Sequence, residues 1–160
     1  MTMFRLSCVA AAAALLVACG GSDDSVRGEL IDPPAVVTTL TAAQIDATTA
    51  ASGLQALSGK AKCDVKVVAL NYRTPGAKDG EMSNASGVML VPGGMCSSAA
   101  PLVANARGTE VLKTRTLANP QDGETFLLAA MYAAQGYAVV ATDYLGYAKS
   151  TYAFHPYLHA

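Results

Sequence analysis

The side chains of this chain that could do covalent, acid–base or ligand chemistry are few and scattered. His155 and His159 stand four residues apart, a spacing that on a helix would turn two imidazoles toward one metal ion. Pro156 falls between them and no acid or cysteine accompanies them, so they read as structural or pocket-rim residues and no metal site is expected. Cys96 follows the apolar run Val88 to Val91 and Gly93-Gly94. A thiol nucleophile there would need a long helix behind it, which Ser97-Ser98-Ala99-Ala100-Pro101 does not begin. Gly93-Gly94 lacks the Lys and Ser/Thr of a phosphate loop and no Gly-x-Gly-x-x-Gly occurs, so no cofactor is expected. The remaining candidate segment is Asp143-Tyr144-Leu145-Gly146-Tyr147-Ala148-Lys149-Ser150.

The elements around these residues follow from pattern. Thr41-Ala42-Ala43-Gln44 has capping-box spacing ahead of Ile45, and the Ala-rich run to about Ser52 predicts a short helix. Val65 to Tyr72 is rich in strand formers. Pro75-Gly76 and Asp79-Gly80 mark a turn, and Ala85 to Val91 supplies a second strand that ends at Pro92-Gly93-Gly94. Two strands across a turn-rich connection form an antiparallel hairpin. Leu102 to Ala106 is then a short apolar strand, Arg107 to about Gly123 a polar loop, and Glu124 to Gln135 a helix stopped by Gly136. Phe126, Leu127, Ala130, Met131 and Ala134 make its predicted core-facing stripe. Tyr137 to Thr142 is a near-continuous apolar strand of the kind buried on both faces. Strand, helix and strand in that order form a βαβ unit with a right-handed crossover. The fold class is therefore α/β, a hairpin followed by a βαβ unit.

Composition sets outer limits. The 160 residues are 52% hydrophobic and 14% charged, with net charge −1; this excludes disorder over most of the chain. No basic cluster is present to neutralise a phosphate backbone, so nucleic acid is not an expected partner. Part of the apolar excess is local: a short positive start ending at Arg5, then Leu6 to Val17, then Leu16-Val17-Ala18-Cys19 and Gly20-Gly21-Ser22. This is the pattern of a secretory signal, too short to span a bilayer, which takes roughly 20 apolar residues.

Leu-Val-Ala-Cys resembles the bacterial lipobox, in which the Cys thiol is diacylated and becomes the new N-terminus. The resemblance implies a signal peptide over 1–18, lipidation at Cys19, a flexible lipidated tether over 19–34, and a domain over 35–160. Multiple acyl chains would anchor it stably to a membrane, and Gly20 in place of Asp implies the outer membrane facing the periplasm. The alternative is an ordinary cleaved signal. Cys8 would leave with the signal, so Cys63 and Cys96 remain; in an oxidising periplasm they pair, or they stay as two half-buried thiols. Asn84-Ala85-Ser86 has the form of a glycosylation acceptor, which in a bacterium carries no meaning.

The strand order and the loop Asp143 to Ser150 resemble the α/β-hydrolase superfamily, whose fourth strand typically runs into Asp-x-x-Gly-x-Gly-x-Ser. Asp143, Gly146 and Ser150 match, and Ala148 stands at the second Gly. With His155-Pro156-Tyr157-Leu158-His159, the region 63–160 is similar to secreted bacterial lipase/esterase-type hydrolases and implies the N-terminal half of such a sheet. The resemblance places an oxyanion element after the third strand, where Arg107-Gly108-Thr109 stands for the usual His-Gly-x. Gly108 and Thr109 become oxyanion-hole residues, with the Thr109 N–H as donor. Asp143 takes a loop-ordering role and no catalytic one. The nucleophile motif Gly-x-Ser-x-Gly is absent around Ser52, Ser58, Ser86, Ser97, Ser98 and Ser150, and a catalytic His would have to follow it.

The resulting expectation is an N-terminal portion of a lipid-anchored serine hydrolase acting on carboxylic esters, inactive as it stands, with a small-molecule ester as substrate only when completed. In the family sheet the strand Leu102 to Ala106 lies between the fourth and fifth strands, so here it should form an unpaired edge with poor solubility. A non-catalytic envelope lipoprotein with a small α/β binding domain is the alternative from a different class.

Overall fold

The computed structural model describes residues 27–156. The signal over 1–18, Cys19, and His159 lie outside the described residues. The chain runs β1 (Ala35–Leu40), α1 (Ala42–Ser52), α2 (Gln55–Ser58), β2 (Asp64–Pro75), β3 (Met82–Gly93), β4 (Leu102–Asn105), α3 (Gly123–Met131) and β5 (Ala138–Thr142). One five-stranded sheet has the order β1-β2-β3-β5-β4. β4 and β5 are parallel and the other pairs antiparallel.

The hairpin is the organising unit. β2 and β3 pair without a break from Asp64↔Gly93 to Pro75↔Met82. Because strand side chains alternate between faces, this register puts Val65, Val67, Val88 and Leu90 on one face, where all four are buried. The same face continues into β5 through Val88↔Ala141 and Leu90↔Val139. α1 and α3 close over it, so Ile45, Leu128, Ala129 and Ala130 join one core. Gly87 permits the close approach of β5: a Cβ there would stand 2.4 Å from the carbonyl oxygen of Ala141. Beyond the apolar end, the same face carries Asn71, Asn84 and Ser86, a polar extension of the core.

Local signals act where they were expected at α1. Thr41 caps it, with its hydroxyl accepting from Gln44 N and the Gln44 side chain accepting from Thr41 N. The Asp64 carboxylate accepts from Ala42 N at 2.8 Å and fixes the helix start to the head of β2. At the same end Cys63 and Cys96 are disulfide-bonded, Cα–Cα 5.5 Å, just outside the last hairpin pair. The bridge closes the hairpin at the end opposite its turn.

Three features depart from the sequence reading. Residues 28–31, within the expected flexible tether, are hydrogen-bonded to β2. Gly28 N donates to Arg73 O, Arg73 N to Glu29 O and Ile31 N to Asn71 O, at 2.8 to 2.9 Å, so this segment already lies along β2. Pro33-Pro34, without N–H donors, only interrupts the pairing. The run Val36-Val37-Thr38-Thr39 then continues as β1, a strand the pattern left unassigned. In α3 the stripe is also rotated: Leu127 and Met131 are exposed, while Thr125, Leu128, Ala129, Ala130, Ala133 and Ala134 are buried. Phe126 to Met131 is entirely apolar, so hydrophobicity cannot choose a face there; size does. Four alanines let the helix sit close to the sheet, and the Thr125 hydroxyl donates to Leu117 O at 2.7 Å.

Asn84 of the glycosylation-like tripeptide is buried in β3. Its amide donates to Asn71 Oδ1 and Lys149 O and accepts from Thr151 N, so it is committed to the interior.

Candidate active site

In a parallel pair the loops leave from the carboxyl ends of both strands. Here β4 opens into the segment 106–122 and β5 into Asp143–Ser150, side by side. The first loop begins with an arch over residues 107–110. Its two feet are held and its crown is free: Arg107 is buried, Glu110 is half-buried, and Gly108 and Thr109 are exposed.

The feet are held from inside by charge. Arg107 Nη2 donates to Glu110 Oε2 at 2.7 Å, and Arg115 Nη1 donates to the same oxygen at 2.6 Å. Glu110 Oε1 accepts from Val111 N and Leu112 N at 2.6 and 2.8 Å. These donors favour the carboxylate over the acid, first the Leu112 N–H and then Arg115, and hold the Glu110 pKa at about 2. Arg115 also reaches Asp122, with Nε to Oδ2 at 2.7 Å, and Glu124, with Nη2 to Oε2 at 3.2 Å. Asp122 caps α3 by accepting from Glu124 N and Thr125 N, so the arch is wired to the helix start. Arg115 is the main cause that lowers the pKa of Asp122, and Asp122 and Glu110 in turn raise that of Arg115.

The feet are held from outside by the second loop. Tyr144 Oη donates to Arg107 O at 3.0 Å and Tyr147 Oη donates to Glu110 O. Two tyrosines three residues apart therefore meet two carbonyls three residues apart. Asp143, fully buried, accepts from Ser86 Oγ, Thr116 Oγ1 and Leu117 N at 2.7 to 2.9 Å. Its carboxylate joins β3, the arch-bearing loop and the end of β5. With its oxygens so engaged it orders loops and has no free face for a catalytic base.

Backbone conformation explains the rest of the segment. Tyr144, Gly146 and Ala148 all have positive φ, at 69, 85 and 48°. A Cβ on Gly146 would lie 2.4 Å from Phe154 O, so glycine is required there. Ser150 Oγ accepts from Gly146 N and donates to Asn84 O at 2.9 and 2.7 Å, closing the loop onto β3. His155 Nδ1 lies 2.9 Å from Leu145 O, and its ring packs on Tyr144 and Tyr147. It supports the second loop from behind.

Ser86 and Ser150 are thus occupied as structural hydrogen-bond partners, and Cys96 is in the disulfide at the other end of the hairpin. Among the described residues no group of three His, Cys, Asp or Glu is placed to hold a metal. A pocket of about 310 Å³ lies beside these loops, lined in part by Ser86, Gly87, Thr114, Thr116 and Lys149. The sequence reading passed over Glu110, Arg115 and Tyr147. A buried arginine demands an acid, and the acid three residues on from Arg107 was the available signal.

Solved structures share this fold. The ligand-bound form of the rice cell wall degrading esterase LipA from Xanthomonas oryzae superposes with a TM-score of 0.70 at 39% identity, covering 83% of this chain and 33% of that one. The fold is α/β-hydrolase-like. A further crystal structure of that esterase gives a TM-score of 0.68 at 40% identity over the same shares. A hydrolase-class protein from Legionella pneumophila, at 21% identity and TM-score 0.67 over 81% of this chain, shares the fold alone. No protein-family model and no curated protein matches the chain. The chain spans about a third of the length of the solved structures it matches. Within the α/β-hydrolase-like sheet, the hairpin and βαβ unit take the places the sequence implied, and among the described residues β4 stands at an edge, paired with β5 alone.

Proposed function

We propose that this chain is the N-terminal part of a lipid-anchored serine hydrolase that cleaves carboxylic esters through an acyl-enzyme. The observation that carries the reading is the arch, with residues 107 and 110 fixed on two sides and Gly108-Thr109 facing outward at the carboxyl end of the parallel strands. A peptide N–H held in that way is preorganised for charge that develops on a carbonyl oxygen in the transition state, the kind of contact whose removal costs roughly 100- to 1,000-fold in kcat. Thr109 N–H is the proposed donor. The likeness to the esterase at 39% identity supports the reaction class.

The nucleophile, acid and base of the scheme come from sequence outside these residues, since no Gly-x-Ser-x-Gly is present. They act as a unit, so the 160-residue chain alone should not turn over esters. Cys19 carries the proposed lipid and anchors the enzyme at the outer membrane, facing the periplasm. The scheme calls for no metal or cofactor.

Reading the DNA past codon 160 should reveal an in-frame Gly-x-Ser-x-Gly, and the polypeptide from that whole frame should hydrolyse a short p-nitrophenyl ester. Loss of turnover on replacing the motif serine is expected. Turnover by the 160-residue chain itself would overturn the division of labour, and an inactive whole-frame product would overturn the function. Labelled fatty acid should enter the protein and be lost in Cys19→Ala.

A further inference from the structure

We infer that Arg107 is the positioning residue of the arch, the side chain that sets where the Gly108-Thr109 peptide stands; this rests on the ester-hydrolase reading above. Its guanidinium is wholly buried. Nη2 bonds Glu110, Nη1 lies 3.9 Å from Asp143 Oδ1, and neither Nε nor Nη1 has a hydrogen-bond partner among the described residues. A buried cation kept only for stability would be saturated with acceptors, and well-packed apolar residues commonly serve as well or better in that role. An incompletely bonded guanidinium is poor value as a stabiliser. What it does supply is geometry.

Arg107 and Glu110 are the two feet of the arch, and their mutual bond draws both side chains inward. The Gly108-Thr109 peptide between them stays exposed. The same two residues offer their carbonyls to Tyr144 and Tyr147, so each foot is fixed through its side chain and its backbone. Asp143 sets the depth of the guanidinium, because its own oxygens are already held by Ser86, Thr116 and Leu117. A lysine could keep the charge but, as a point donor on a flexible stem, could not bond Glu110 with one arm of a planar fork while the other arm stands 3.9 Å from Asp143.

The experiment uses the polypeptide from the whole reading frame as wild type, Arg107→Met and Arg107→Lys, with hydrogen exchange of residues 108–112 and ester kinetics measured side by side. In Arg107→Met, exchange in that segment should quicken roughly tenfold or more while β2 and β3 amides keep their rates. The kcat should fall about 100-fold with KM within about twofold, the pattern of a lost transition-state contact. Arg107→Lys should not restore kcat. Unchanged exchange and kcat in Arg107→Met, or full recovery in Arg107→Lys, would overturn the inference. A kcat loss in step with exchange across the whole sheet would also overturn it, as the sign of a merely structural residue. Should Arg107→Met fail to fold, Arg107→Lys carries both measurements. A wild type without ester turnover refutes the hydrolase reading, and the exchange data then still decide the positioning role.

Discussion

Tyr144 Oη donates to the carbonyl of Arg107 at 3.0 Å, so the loop after β5 fixes the loop after β4. The Tyr144 backbone is left-handed, φ 69°, at the first residue after the Asp143 that follows β5. An unfavourable backbone state is spent on a contact between two loops that share a sheet end.

Tyr144→Phe should therefore loosen the arch with little effect on the core. Loss of one hydrogen bond of this type costs about 0.5 to 1.5 kcal/mol, and faster amide exchange confined to 107–112 would check it. Exchange spread over the whole sheet would contradict the local role.

Ala148 stands where the resembling loop carries glycine, and its φ of 48° is the left-handed region that an L residue enters at a cost of roughly 1 to 2 kcal/mol. Ala148→Gly should raise stability by up to about 1 kcal/mol, the strain relieved being partly offset by glycine's greater freedom when unfolded. Chemical denaturation of the two proteins measures it, and a destabilised glycine variant would show that the loop carries no strain there.

The Glu110 pKa lies at about 2, below the ordinary 4.5, because the folded state stabilises the carboxylate. A depressed folded pKa means that its contribution is full above the unfolded value and is lost as pH falls through the folded one. Wild type and Glu110→Gln should differ in denaturation midpoint at pH 6, and the gap should close between about pH 4.5 and pH 2. A gap that is constant over this range would rule out the charge as its source.

The Cys63–Cys96 bridge closes a span of 33 residues, for which the chain-entropy account gives about 4 kcal/mol. Replacing both cysteines by alanine should lower the denaturation midpoint accordingly, with α1 and the strand register kept, because Thr41 and Asp64 hold that end independently. A thiol assay on the denatured, unreduced protein should find neither Cys63 nor Cys96 free.

Much of the molecule is legible in one dimension because its causes are local. The capping box at Thr41 needs only four residues, and the β2–β3 hairpin follows from strand formers around Pro75-Gly76 and Asp79-Gly80; the helix expected to run to Gln135 instead ends at Met131, and Gly136, with φ 101°, caps the 3-10 turn Ala133–Gln135 that follows it. Within the loop signature, Gly146 and Ser150 serve a local turn, Gly146 N donating to Ser150 Oγ, whereas Asp143 answers to Ser86, Thr116 and Leu117 from other segments. β1 escaped although Val36-Val37-Thr38-Thr39 are strand formers, because the run is short and its partner, β2, lies nearly thirty residues away. The face of α3 escaped because every residue from Phe126 to Met131 is apolar and only packing against the sheet chooses among them.

The sequence by itself determined the α/β order and where the loops after β4 and β5 leave the strands. What only the tertiary structure decided is the electrostatics between those loops. Arg107 is charged and stands in a polar stretch, so hydrophobic pattern does not predict its burial. The fold does, because parallel pairing of β4 with β5 sets Arg107 beside Asp143, and the turn of the arch brings Glu110 under it. A buried charge is tolerated only where compensating groups converge from separate segments, and that convergence is a property of three dimensions.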